Sequence, residues 1–197
     1  MSNLAPAAAV RPARPTPARP FAASVVVPTL NEEKTLAALL GPLRAAAGAL
    51  GLELVVSDGG STDTTLTLAA KLADQVAVHE GPGRQTIAAG RNAGARLASA
   101  DVLLFFNADV RLPEPVAPFL ADLIASAQQH GAATCRVVVH PDEATLADRL
   151  VLSGCNAVFW AWNRVGRGMG RGECHAIRRD LFEAVGGYRE HLTAGED

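Results

Sequence analysis

Four short apolar runs rich in β-branched residues, each followed by a stretch with helical periodicity, constrain the fold of this chain more than any other feature. Ser24-Val25-Val26-Val27 reads as a buried strand that stops at Pro28. Leu36, Leu39, Leu40 and Leu43 then recur at i, i+3, i+4 and i+7, the stripe of a helix packed on a sheet, and Gly41-Pro42 is expected to kink or shorten that helix. Leu52 to Val56 predicts the second strand. The small polar run Ser57-Asp58-Gly59-Gly60-Ser61-Thr62-Asp63 suits a tight turn and a helix N-cap, and Leu66, Ala69, Ala70 and Ala73 mark the inner face of the next helix. Gln75 to His79 predicts a short third strand. After the break at Gly81-Pro82-Gly83, an alanine-rich helix is expected from about Arg84 to Ser99. Val102 to Phe106 is the most apolar strand and closes on Asn107-Ala108-Asp109. Val116, Phe119, Leu120, Leu123 and Ile124 mark the helix after Pro113 and Pro115.

Four strand-helix units in succession imply an α/β fold with a doubly wound, mainly parallel sheet flanked by helices. Beyond Ala132 the alternation weakens: Thr134 to Val139 predicts a strand, Ala144 to Arg164 a helix, and Gly166 to Gly172 a glycine-arginine loop. The expected organisation is therefore a disordered Ala/Pro/Arg-rich tail over residues 1–22, a ligand-binding subdomain over 23–125, and a smaller subdomain over 126–197 that covers the site. Prolines in the tail leave no continuous apolar stretch of the kind a signal peptide needs.

Composition narrows the function. A net charge of -2 argues against nucleic acid as a partner, because nothing would neutralise phosphates globally. Cys135, Cys155 and Cys174 are odd in number and lack a CxxC pair, which argues against a disulfide framework and a structural zinc site and fits a reducing cytoplasm. No apolar run reaches the roughly 18 residues of a membrane span.

In doubly wound sheets, ligands bind beyond the carboxyl ends of the strands. The polar clusters fall there: Thr29 to Glu32 after the first strand, Asp58 after the second, Asn107 to Asp109 after the fourth. Asp58 could accept hydrogen bonds from a nucleobase or ribose, and Glu32 could hold ribose hydroxyls. Asp109 can present a hard carboxylate oxygen to Mg²⁺ or Mn²⁺ that also binds phosphates. Arg91 could add a forked donor to the phosphates or base. Each has a plainer reading: Asp58-Gly59-Gly60-Ser61 as an ordinary turn, Arg91 as a surface helix residue, Glu32 as a first-turn carboxylate favouring the helix dipole. Their ordered succession, rather than any one of them, points to a nucleotide diphosphate ligand.

Ser24-Val25-Val26-Val27-Pro28-Thr29-Leu30-Asn31-Glu32-Glu33, Val56-Ser57-Asp58-Gly59-Gly60-Ser61-Thr62-Asp63 and Asn107-Ala108-Asp109 together resemble the family 2 glycosyltransferases with the GT-A fold. Gly90-Arg91-Asn92-Ala93-Gly94 resembles the family's helix after the third strand. Phe182 to Tyr188 resembles its acceptor-side segment before a Glu-Asp pair, here Glu196-Asp197. The resemblance implies metal-assisted, inverting transfer from a nucleotide sugar to an acceptor saccharide, lipid phosphate or small molecule. It implies that Pro28, Leu30 and Glu32, with Thr29 among them, line the base and ribose pocket, that Asp58 contacts the base, and that Ala108 and Asp109 meet the diphosphate and metal. Asp197 would be the general base and Glu196 would orient the acceptor. Asn107 stands where the family more often has Asp; its amide can still bond a ribose hydroxyl or a metal-bound water.

The family continues past the Glu-Asp pair into further acceptor-binding elements, so the acceptor side is expected to be truncated at Asp197. A donor-binding module with weak catalysis is one alternative. A sugar nucleotidyltransferase is another, opposed by the lack of a glycine- and lysine-rich phosphate loop after the first strand. Cys174-His175 reads as a buried strand cysteine rather than a metal or nucleophile site. Trp160 and Trp162 read as core or interface packing, with sugar stacking or a membrane surface as alternatives. Arg164, Arg167, Arg171, Arg178 and Arg179 are compatible with an anionic acceptor such as a lipid phosphate, hence with peripheral association at the inner face of the membrane, or with a solvated loop.

Overall fold

The structure, a computed structural model, describes residues 21–140, 144–166 and 172–191. The elements run β1 (Ala23–Thr29), α1 (Leu36–Leu50), β2 (Leu52–Asp58), α2 (Thr65–Leu72), β3 (Gln75–Val78), α3 (Ile87–Leu97), β4 (Val102–Phe106), α4 (Val116–His130), β5 (Ala132–Thr134), α5 (Leu146–Arg164), β6 (Cys174–Arg178) and α6 (Arg179–Ala184). The sheet has the order β3-β2-β1-β4-β6-β5. Its first four strands are parallel, and β6 runs antiparallel to both β4 and β5.

The apolar runs are strands because both faces of this sheet are covered. Val25, Val27, Leu54, Val56, Leu104 and Phe106 face one core with the leucines of α1 and the inner residues of α4. Val26, Val55, Leu103 and Phe105 face the other, beneath Ala95 of α3 and Ala98 just beyond it, with Phe182 and Tyr188 packed alongside. Leu36, Leu39, Leu40 and Leu43 are fully buried. Burial of that kind stabilises by roughly 1.5–3 kcal/mol per side chain, which explains why α1 is not shortened at Gly41-Pro42, one of the two outcomes expected there, but continues through Pro42 to Leu50. The apolar stripe outweighs the single hydrogen bond that proline removes. The helix ends at Gly51, whose φ of 63° lets its N–H close on the Ala47 carbonyl.

Helix α3 lies so close to the sheet that a Cβ at Gly94 would sit 2.4 Å from Val26 Cγ1, and one at Gly90 would sit 3.1 Å from Pro28 Cβ. These two glycines, one turn apart, bring the start of α3 down onto the end of β1. The strand expected over Thr134 to Val139 is instead β5, ending at Thr134. It pairs with β6 up to Thr134–His175, and β6 begins at Cys174, so the edge runs out of partner there. Helix α5 begins two residues later than expected, behind a capping box of Thr145 and Asp148. No helix among the described residues is long and apolar enough to cross a membrane.

Candidate nucleotide-sugar site

Beyond the carboxyl ends of β1 and β4 lies a cleft of ≈ 300 Å³. Pro28, Thr29, Leu30 and Glu32 form one wall, Asn107, Ala108 and Asp109 another, and Gly59 with Gln85, Thr86 and Ile87 close it. Seven of the residues expected at the site are therefore brought together. Asp109 is exposed and Ala108 is buried beneath it, as a loop leaving a buried strand requires. The amino end of α3 also meets the cleft. Thr86 caps that helix, its side chain accepting from the Ala89 N–H, and the dipole of an eleven-residue helix favours an anion at this end.

The loops after β1 and β2 are laced to each other rather than held by packing. Ser61 Oγ accepts from the Asn31 N–H at 2.8 Å, and Asn31 Oδ1 accepts from the Thr62 N–H at 2.9 Å. Thr65 Oγ1 accepts from the Glu32 N–H at 2.8 Å, while the Glu33 carboxylate accepts from the Thr64 N–H and hydroxyl. Asn31 adopts φ 57°, a left-handed conformation that Asn tolerates better than most side chains. Glu32 remains half-buried at the cleft wall, with Oε2 accepting from Thr35 Oγ1 at 2.6 Å.

Asp58 and Arg91 are placed differently from the sequence reading. Asp58 is fully buried and does not line the cleft. Its carboxylate accepts from Thr29 Oγ1 (3.1 Å), the Gly60 N–H (3.0 Å), the Ser61 N–H (2.8 Å) and Ser61 Oγ (2.5 Å). A buried carboxylate needs such donors, and the Gly59-Gly60-Ser61 turn supplies them. Asp58 thus ties the ends of β1 and β2 together, and Gly59, whose N–H donates to the Thr29 carbonyl at 2.8 Å, takes its place at the wall.

Arg91 is only 2% exposed. Its Nη2 donates to Asn107 Oδ1 at 3.0 Å and to the Gly172 carbonyl at 2.6 Å, and its guanidinium lies 5.0 Å from the centroid of the Tyr188 ring. It supports the cleft from behind through Asn107. With Oδ1 committed to Arg91, Asn107 has its amide N–H₂ to offer the cleft, a donor where an Asp would offer an acceptor. Gly59, Gln85, Thr86 and Ile87 escaped the sequence reading; the break at Gly81-Pro82-Gly83 followed by a capping threonine was the available signal for the last three. Glu196 and Asp197 lie outside the described residues.

The chain's own donors decide how a divalent cation could be held. Among the described residues no group of three His, Cys, Asp or Glu side chains gathers, so Asp109 would bind a cation together with ligand phosphates and water. Mg²⁺ is held in that manner in many phosphate sites, by one or two carboxylates plus substrate oxygens. The residues fit a shared cation and do not form a closed cage. Cys174, as read from the sequence, is a buried strand cysteine; the neighbouring Cys135 thiol and burial push the Cys174 thiol up, whereas Cys174 holds the Cys135 thiol down against its burial.

The strand order and the flanking helices define an α/β domain of the GT-A type. Residues 24–186 match the family described as Glycosyl transferase family 2, and the chain belongs to it. Among curated relatives it is 30% identical over 183 residues to the succinoglycan biosynthesis protein ExoA of Rhizobium meliloti, covering 88% of this chain and 54% of that one. It is 31% identical over 173 residues to a PGL/p-HBAD biosynthesis glycosyltransferase of Mycobacterium bovis, covering 84% and 62%. The chain thus spans little more than half the length of these relatives. In fold it is similar to the mannosyltransferase PcManGT from Pyrobaculum calidifontis, solved with GDP-Man and Mn²⁺ (TM-score 0.64, 23% identity, 93% of this chain and 53% of that one). It is also similar to the Mycobacterium tuberculosis glucosyl-3-phosphoglycerate synthase, solved with Mn²⁺, UDP and phosphoglyceric acid (TM-score 0.55, 22% identity, 81% and 56%).

Proposed function

We propose that the cleft binds a nucleoside diphosphate sugar and that the chain transfers the sugar, with inversion, to an acceptor hydroxyl or phosphate. The observation that carries this reading is the convergence of Pro28 to Glu32, Asn107 to Asp109 and the capped start of α3 on one cleft. Leu30 and Ile87 offer apolar contact to a base, and Glu32 offers acceptors to ribose hydroxyls. The start of α3 and the Asn107 amide face the diphosphate with donors. Asp109 would hold a divalent cation, and that cation would supply charge compensation for the departing diphosphate.

In the transfer, an acceptor oxygen attacks the anomeric carbon as the bond from that carbon to the diphosphate oxygen breaks. The electron pair leaves with the diphosphate, and the acceptor proton passes to the Asp197 carboxylate, with Glu196 orienting the acceptor. Base catalysis of this kind contributes about 10²–10⁴-fold. The named contents of the neighbours' structures, GDP-Man with Mn²⁺ and UDP with Mn²⁺, support the same ligand class.

Titration calorimetry with UDP, GDP and dTDP, each with Mn²⁺ and with EDTA, tests the binding half of the proposal. Saturable, cation-dependent heat with one of the three is expected, and none with any would sink it. Nucleoside diphosphate release from the matching sugar donors, by this chain and by one extended past Asp197, separates a transferase from a module that only binds donor.

A further inference from the structure

Gln85 stands one residue before the cap of α3 and lines the cleft, half-buried. Its side-chain amide makes no hydrogen bond among the described residues. The neighbouring polar side chains of the wall are committed: Thr29 Oγ1 donates to Asp58, and Thr86 Oγ1 accepts from the Ala89 N–H and donates to the Glu190 carbonyl. Asp58, expected from the sequence to contact a base, is fully buried and already accepts from four donors. Gln85 therefore carries the one uncommitted side-chain donor and acceptor on this part of the wall.

Two glycines make the room in which it lies. A Cβ at Gly59 would stand 3.5 Å from Gln85 Cβ, and one at Gly90 would stand 3.3 Å from Gln85 Oε1 and 3.1 Å from Pro28 Cβ. The side chain thus runs from the turn after β2 towards the start of α3, beside the end of β1. The sheet order β3-β2-β1-β4 gives the cleft two ends. Asn107 to Asp109 follow β4 on one side of β1, and Gly59 follows β2 on the other. A nucleotide with its diphosphate at the Asp109 end extends its base towards Gly59 and Gln85, against the apolar surface of Leu30 and Ile87.

A base seated there covers the amide. A covered amide without a partner weakens binding, whereas a base edge that offers both a donor and an acceptor satisfies it. We propose that Gln85 is a specificity-determining residue for the nucleobase, its amide meeting the hydrogen-bonding edge of the base at the β2 side of the cleft. The inference rests on the reading of the cleft as a nucleotide-sugar site. An amide matches the adjacent N–H and carbonyl that uracil, thymine and guanine all carry. A carboxylate only accepts, and it matches the ring N–H and amino group that guanine alone of the three places side by side.

The test uses Gln85→Ala and Gln85→Glu in titration calorimetry against UDP, GDP, dTDP and inorganic pyrophosphate, each with Mn²⁺. For Gln85→Ala, affinity for the nucleotide that the wild type binds best should fall about tenfold, the worth of one or two hydrogen bonds, while pyrophosphate affinity changes by less than about threefold. For Gln85→Glu, the ratio of GDP to UDP affinity should rise about tenfold; the added charge weakens all three nucleotides alike and cancels in the ratio. Nucleotide and pyrophosphate affinities that fall together would put Gln85 at the diphosphate and overturn the proposal. Wild-type base ratios kept in both variants would overturn it too, with the nucleotide site itself intact. Failure of the wild type to bind any of the three nucleotides removes the reading of the cleft and this inference with it. If Gln85→Ala does not fold, Gln85→Glu decides alone, since it keeps the size of the side chain and its ratio is read within one variant.

Discussion

The sheet end built from β1, β2 and β4 and the helix α5 are opposite solutions to holding a chain in place. In the first, every residue of β2 and β4 is buried, and the loops leaving the strands are cross-bonded by Asn31, Glu33, Ser61 and Thr65. In the second, none of nineteen residues is buried. Leu150 is 66% exposed and Trp160 63%, the latter beneath the Arg164 guanidinium at 5.1 Å. Trp160 and Trp162 are therefore not core residues of the described chain. The difference teaches where precision is kept: the cleft sits on the buried strands of the sheet and their cross-bonded loops, whereas α5 contributes no residue to it.

Substitutions at matched leucines can break this contrast. Leu40→Ala should destabilise by about 3 kcal/mol, a full buried side chain replaced by a cavity. Leu150→Ala should change stability by less than about 0.5 kcal/mol. Denaturant titrations of the two variants measure both, and similar losses would mean that α5 is packed as tightly as α1. At the cleft, Asp109→Ala should cost about a hundredfold in Mn²⁺-dependent nucleotide affinity, roughly 2.8 kcal/mol, with an unaltered melting temperature because the side chain is exposed. Calorimetric affinity equal to that of the wild type would remove Asp109 from the cation site.

Thr86 joins the cleft wall to the segment after α6, capping α3 and bonding the Glu190 carbonyl. Thr86→Ala should lower stability by about 1 kcal/mol through the lost cap, and Thr86→Ser should recover most of it. The smallest effect concerns the loop lacing. Burial acts to raise the Asp63 carboxyl, but hydrogen bonds from the Thr65 side chain and backbone and from the Glu33 N–H hold it below its ordinary value. A carboxyl depressed on folding stabilises above its unfolded pKa and ceases to do so as pH falls through the folded one. The melting-temperature gap between the wild type and Asp63→Asn should therefore be present at neutral pH and close below the ordinary carboxylate range. A gap that persists in acid would assign the effect to geometry rather than charge.

Much of the fold was legible locally. Val25 to Val27, Leu54 to Val56 and Val102 to Phe106 are strands because their burial on both faces demands unbroken apolar runs. The grouping of Thr29, Glu32 and Asn107 to Asp109 followed from strand direction alone. The roles of Asp58 and Arg91 were not legible, since a carboxylate before a glycine turn and an arginine on a helix look alike whether they face a ligand or the interior. Only the depth of β2 and the close packing of α3 on β1 and β2 turn them inward.

The sequence by itself determined the alternation of strands and helices, the edge at which the polar loops meet and the family to which they belong. All of these depend on periodicity and short-range turn chemistry. The tertiary structure alone decided that Pro42 stays inside a helix, that Gly59 rather than Asp58 faces the cleft, and that Arg91 reaches Asn107 and the Gly172 carbonyl. Those outcomes compare burial and hydrogen bonding between residues far apart in the chain, and no local pattern carries that comparison.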